Sequence, residues 1–145
     1  MSGDDGQRAW SHFLGAHALA IRAVEARLKA AGLPPLGWYD VLLELERAGG
    51  TLRIGELGER LVIEPYNMTR LVDRLLKHGL LTRERAEDDR RGALVSLTPE
   101  GAALRSRMWP PYRRAIDEAF GDVLDEADTE ALVRAMKKVI ARQRD

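Results

Sequence analysis

The stretch Pro65–Gly79, PYNMTRLVDRLLKHG, decides the fold. Met68, Leu71, Val72, Leu75 and Leu76 recur in threes and fours, the spacing that gathers apolar side chains on one face of a helix. The opposite face carries Tyr66, Asn67, Thr69, Arg70, Arg74 and Lys77. An aromatic ring, an amide, a hydroxyl and three cations are groups that hold phosphates and read base edges. Pro65 suits a first helical turn, where its missing N–H has no helical partner, and Gly79 supplies the stop. Asp73, between Arg70 and Arg74, reads as one half of a helix-surface ion pair. Taken alone, the helix is compatible with an ordinary solvated surface; the sequence on either side narrows the reading.

Upstream, Trp38–Ala48 (WYDVLLELERA) predicts a helix broken by Gly49 and Gly50, and Thr51–Ile54 a short strand. Glu56–Leu61 predicts a short helix with Leu57 and Leu61 inward, joined to Pro65 by Val62–Glu64. Two short helices across a tight turn, the second with a polar face, form a helix-turn-helix. Downstream, Leu80–Arg85 and the alternating ALVSL of Ala93–Leu97 predict two strands around the charged turn AEDDRRG, where Gly92 is available for a positive φ. A helix-turn-helix followed at once by a hairpin with arginines at its tip is a winged helix. Arg90 and Arg91 would meet the sugar–phosphate backbone or the minor groove, where the potential is most negative. Asp89 can hold a guanidinium through both oxygens and fix its direction.

The flanks are helical. From about Arg8 to Ala31, residues Trp10, Leu14, His17, Ile21, Val24 and Leu28 alternate steps of four and three. This is the stripe of a helix packed along another helix, in a bundle or across a subunit interface. Gly32, Pro34 and Pro35 end it. Thr98-Pro99-Glu100 is a helix start. That helix runs to about Phe120 through Leu104, Met108, Tyr112 and Ile116, with a kink expected near Trp109 because of Pro110 and Pro111. Asp125 and Asp128 resemble a capping pair for a last helix to about Arg142, with Leu132, Met136, Val139 and Ile140 as its expected buried stripe. The expected fold is mainly α with a small β-hairpin wing. One domain fills residues 1–145: a winged helix-turn-helix DNA-binding region at about 38–97 between terminal helices at about 8–31 and 98–142.

Composition sets the outer limits. Of 145 residues, 45% are hydrophobic and 32% charged, enough for a packed core. Lys and Arg number 23, as do Asp and Glu, so the net charge is zero and DNA binding has to rest on local clustering of cations. The absence of cysteine excludes disulfides, thiolate catalysis, zinc fingers and a thiol redox switch. With only His12, His17 and His78, a His-rich metal site cannot be built, and no cofactor is expected. No nucleophile–base set and no Gly-rich phosphate loop suggests an enzyme. No apolar run approaches the ~20 residues that span a bilayer. The polar start MSGDDGQRAW is no signal peptide, so a cytoplasmic protein is expected.

Three motifs, in order, resemble the MarR family of winged-helix transcription regulators. TRLVDRL at Thr69–Leu75 is similar to the family's recognition-helix core. DDRRGALVSLTPEG at Asp88–Gly101 resembles its wing, with an Asp-x-Arg step at Asp89 and Arg91 and a following Leu-Thr-Pro-x-Gly. GLPPLGWYDVLLEL at Gly32–Leu45 is similar to the start of its second helix. The resemblance implies a homodimeric repressor, with the helices at about 8–31 and 98–142 as dimerisation helices, on a pseudo-palindromic operator, with one recognition helix per major-groove half-site and half-sites about one helical turn apart. It implies that Arg91 enters the minor groove and that Asp89 orients it. It also implies release by a small aromatic or anionic ligand, commonly phenolic. Trp10, His17, Trp38, Tyr39 and Tyr112 are candidate lining residues, near the junction of the first, second and fifth helices. Upstream of the core this chain reads Glu64-Pro65-Tyr66-Asn67, where relatives carry small polar residues. Glu64 can accept from a cytosine amino group, and Tyr66 can meet a phosphate or a thymine methyl. Glu64 and the neutral net charge also leave open a winged-helix protein–protein module without DNA binding.

Overall fold

The computed structural model describes residues 3–61, 65–85 and 92–145, the side chains of Pro65 and Tyr66 excepted. Among these residues, six α-helices and three strands run in the order α1 (Gly3–Ala30), α2 (Leu36–Arg47), β1 (Thr51–Arg53), α3 (Ile54–Leu61), α4 (Pro65–Lys77), β2 (Leu81–Glu84), β3 (Leu94–Leu97), α5 (Pro99–Ala119) and α6 (Glu126–Arg144). A 3₁₀ turn at Gly121–Val123 precedes α6. The chain divides into a central unit, Glu25–Tyr112, and a terminal unit formed by Met1–Val24 with Arg113–Asp145.

The central unit holds the helix-turn-helix and the sheet. Its core draws one or more side chains from nearly every element: Leu28 of α1, Val41, Leu42 and Leu45 of α2, Leu57 of α3, Val95 of β3 and Met108 of α5 are fully buried. From α4, Met68, Val72 and Leu75 join them, while Leu71 and Leu76 are half-buried at the edge of the same stripe. Each fully buried aliphatic contributes ~1.5–3 kcal/mol of transfer free energy, so this stripe fixes which face of α4 points outward.

The sheet has three antiparallel strands in the order β1-β3-β2, not the hairpin alone. The short strand after Gly50 pairs with β3, setting Leu52 opposite Val95, and the hydroxyls of Thr51 and Ser96 meet at 2.7 Å. On the other edge of β3, Leu81 faces Leu97 and Arg83 faces Val95.

The second helix starts through a contact with a residue eleven positions earlier in the chain rather than by its own cap. Pro35, at its N-cap, offers no side-chain acceptor, and the Glu25 carboxylate of α1 accepts the Leu36 N–H at 3.2 and 3.3 Å instead. A carboxylate at a helix N-terminus also meets the positive end of the helix dipole. The end of α4 is closed by Gly79 at φ +73°, with Gly79 N–H donating to Leu76 and Leu80 N–H to Leu75. This paired closure needs a left-handed residue and so favours glycine.

In the terminal unit, α1 starts at Gly3 rather than near Arg8. Asp4 and Asp5 in its first turn complement the helix dipole. The capping pair of α6 forms as expected: Asp128 N–H donates to the Asp125 carboxylate at 2.8 Å, and Asp125 N–H to Asp128 at 3.2 Å. Helix α5 continues through Pro110 and Pro111 without a break. The two rings cost N–H donors and crowd the carbonyls of the turn before them, and the fully buried Met108 anchors that turn. The stripe of α6 is not buried in the single chain: Leu132, Val139 and Ile140 are 38%, 49% and 51% exposed.

Candidate nucleic-acid interface

Burial of Met68, Val72 and Leu75 turns the other side of α4 outward. Asn67, Thr69, Arg70, Asp73, Arg74 and Lys77 are all exposed. Arg70, Arg74 and Lys77 fall at i, i+4 and i+7, one row along the helix surface. Arg74 and Lys77 lie in the last turn, where cations also complement the helix dipole. Tyr66 begins this face in sequence, and its side chain lies outside the described residues. The expected wing tip with Asp89, Arg90 and Arg91 and the link with Glu64 also lie outside them.

Several connections tie the exposed face of α4 to its surroundings. Beyond its last turn, His78 sits edge-on to Trp38 of α2, ring centroids 5.0 Å apart, and its Nδ1–H donates to the Arg74 carbonyl at 2.9 Å. The Thr98 hydroxyl donates to the Gly79 carbonyl at 2.8 Å and accepts the Gly101 N–H at 3.0 Å, so one side chain joins the end of α4 to the start of α5. On the wing side, Asp73 pairs with Arg83 of β2 at 3.7 Å. The carboxylate between two helix arginines thus reaches across to the strand. Away from this face, Arg60 of α3 pairs with Glu44 of α2 at 3.5 Å, and Arg105 of α5 with Glu46 of α2 at 3.0 Å, bracing the scaffold.

The five candidate ligand residues divide into separate groups. Tyr39 and Tyr112 meet edge to face with centroids 4.9 Å apart. Trp109 completes a trio, stacked on Tyr39 at 6.2 Å and edge-on to Tyr112 at 5.8 Å. Trp109 was missed in the sequence, although it stands three residues before Tyr112 on the same helix, a spacing that puts both on one side. Trp38 belongs with His78. Trp10 and His17 lie in the terminal unit, each beside Phe13 on α1, at 6.2 and 6.3 Å.

The surroundings of the trio are acidic. Burial pushes the Asp40 carboxyl above its usual range, and the nearby Glu25 carboxylate adds to the shift. Burial likewise raises the Tyr112 phenol, followed by the effects of Asp40, Tyr39 and Glu25. Two groups on different helices therefore feel the same negative field. Among the described residues, no group of three or more His, Asp or Glu side chains is placed to hold a metal ion. None of the helices described is long and apolar enough to cross a membrane.

Known proteins share this architecture. The profile of the MarR family matches residues 31–92. The organic hydroperoxide resistance transcriptional regulator of Bacillus subtilis is 39% identical over 57 residues, a stretch that covers 39% of this chain and 39% of that protein. The crystal structure of AbsC, a MarR family transcriptional regulator from Streptomyces coelicolor, superimposes with a TM-score of 0.83 at 26% identity, covering 99% of this chain and 97% of that one. Sco3205, a MarR family regulator of the same organism solved in complex with DNA, gives the same TM-score and identity over 97% of this chain and 88% of its own.

Proposed function

The chain belongs to the MarR family of winged-helix transcriptional regulators, not to a family of enzymes, and from that premise we propose that it is a homodimeric, sequence-specific repressor released by a small aromatic ligand. The observation that carries the reading is the outward face of α4: a row of Arg70, Arg74 and Lys77 with Asn67 and Thr69 beside it, held rigid by a fully buried stripe. The DNA complex of Sco3205, 26% identical, supports it. In this reading α4 lies in the major groove of a pseudo-palindromic operator in the cytoplasm. Asn67, Thr69 and Tyr66 meet base edges or phosphates, and Arg70, Arg74 and Lys77 hold the backbone. Arg91 enters the minor groove, directed by Asp89, with Arg90 on the flanking phosphates.

The terminal unit supports the dimer. Trp10, Leu14 and Ile21 of α1 and Val133, Val139 and Ile140 of α6 are large apolar side chains left exposed on one chain. A second copy would cover them.

For the ligand we assign Tyr39, Trp109 and Tyr112 as the aromatic surface, and give Trp10, His17 and Trp38 packing roles. The carboxylates of Asp40 and Glu25 favour a neutral phenol, which can donate a hydrogen bond, over a carboxylate anion, which they would repel.

Replacing Arg91 by Ala tests the DNA reading. A groove contact predicts operator binding weakened by ~1–3 kcal/mol in a gel-shift titration, and unchanged affinity removes Arg91 from the interface. The rival reading, a protein–protein module, predicts a response to duplex DNA that is flat in salt. A DNA binder instead loses affinity steeply as released counterions become more concentrated.

A further inference from the structure

Asp73 is an anomaly on the outward face of α4. A carboxylate among Arg70, Arg74 and Lys77 opposes the approach of phosphates, and exposed as it is (58%), it contributes nothing to the core. Its partner is on another element. Oδ1 of Asp73 lies 3.7 Å from Nη1 of Arg83, the third residue of β2 and itself 48% exposed. Alternation along a strand puts Arg83 on the same side of the sheet as Leu81. Leu81 is buried, whereas Arg83, two residues on, has emerged into solvent. The pair therefore bridges the recognition helix and the wing strand at the surface. An exposed ion pair of this kind contributes little or nothing measurable to stability, so stability does not account for it.

Resting on the reading of α4 as the DNA-contacting helix, we propose that Arg83 is a further phosphate-binding cation and that Asp73 is its positioning residue. A guanidinium offers five N–H donors in a rigid planar fork, so one edge can face the carboxylate while the others remain for a phosphate oxygen. A long side chain on an edge strand would otherwise sample many rotamers and lose that freedom on binding DNA. Asp73 confines it beforehand. The contact is to the backbone and so independent of base sequence.

The test is fluorescence anisotropy of the full chain with a labelled duplex of mixed sequence, titrated at several salt concentrations. Arg83→Ala weakens binding and lowers the slope of log K against log salt by about 0.9, the value for one phosphate contact. Asp73→Ala removes a negative charge from a DNA-facing helix, so simple electrostatics requires tighter binding; positioning requires weaker binding. Asp73→Glu, which keeps the carboxylate, recovers part of the loss. The double variant binds no more weakly than Arg83→Ala alone, because Asp73 acts only through Arg83. Urea melts establish that each variant is folded. Tighter binding by Asp73→Ala, or a salt slope unmoved by Arg83→Ala, overturns the proposal while leaving the role of α4 intact. Failure of the unsubstituted chain to bind any duplex overturns both.

Discussion

Gly101 has no room for a side chain. A Cβ there would stand 2.3 Å from the Leu80 carbonyl oxygen and 2.8 Å from a methyl of Leu97. The obstacle is backbone, which cannot rotate aside. The close approach is set by Thr98, whose hydroxyl accepts the Gly101 N–H and donates to Gly79, while Thr98 N–H donates to Leu80. The sequence Leu-Thr-Pro-Glu-Gly is therefore a joint between the end of α4, the last strand and α5. Gly101→Ala is expected to lower unfolding stability by ~1–3 kcal/mol or somewhat more, measured by urea melts, since adding a methyl to a filled site forces a backbone shift. An unchanged midpoint would mean that α5 can move away from β3 without cost. Thr98 as a helix cap was legible from residue type alone. Its second bond, back to Gly79, was not, because it joins positions nineteen apart that only the folded wing brings together.

Among the elements, α4 was the most legible. Its apolar residues recur at helical spacing, and the same residues form the core in the folded chain. The strand after Gly50 was legible as a strand but not as a partner of β3, since pairing is set by the register of distant residues. At Pro110 and Pro111 α5 continues without a break, where local propensity gives way to the packing of Met108 and Tyr112. The start of α2 was also beyond the sequence, because its cap, Glu25, comes from another helix. That cap has a consequence at Asp40. Because burial and Glu25 raise the Asp40 carboxyl in the folded chain, the folded state holds its proton more tightly than the unfolded state does. Stability then falls as pH rises from about 4 through the raised value, and ionised Asp40 is a cost at neutral pH. Asp40→Asn is expected to raise the urea midpoint at pH 7, with the gain fading in acid below the usual carboxylate range. A lower midpoint at pH 7 would show that the charge has a favourable partner.

At the scale of the whole molecule, the stripes of α1 and α6 turn the assembly into a question of what covers them. The heptad pattern of α1 was visible in the sequence, but a pattern gives no partner. Val24 and Leu28 are buried within the chain, whereas Trp10, Leu14 and Ile21 stay exposed. The same holds for α6, whose apolar stripe was legible in the sequence and is left exposed on one chain. Sedimentation at micromolar concentration is expected to give twice the chain mass, and Leu14→Glu with Val139→Glu is expected to give monomers that retain the helical circular dichroism of the parent. A parent that sediments as a monomer would remove the geometric reason for paired half-sites. The central claim, a dimer reading duplex DNA through two copies of α4, is tested most directly by selecting bound duplexes from a random pool at two salt concentrations. The account predicts an inverted repeat with half-sites about one helical turn apart, enriched most strongly at the higher salt, where backbone attraction is weakest. Recovery of no sequence preference, or of no DNA at either salt, would contradict it.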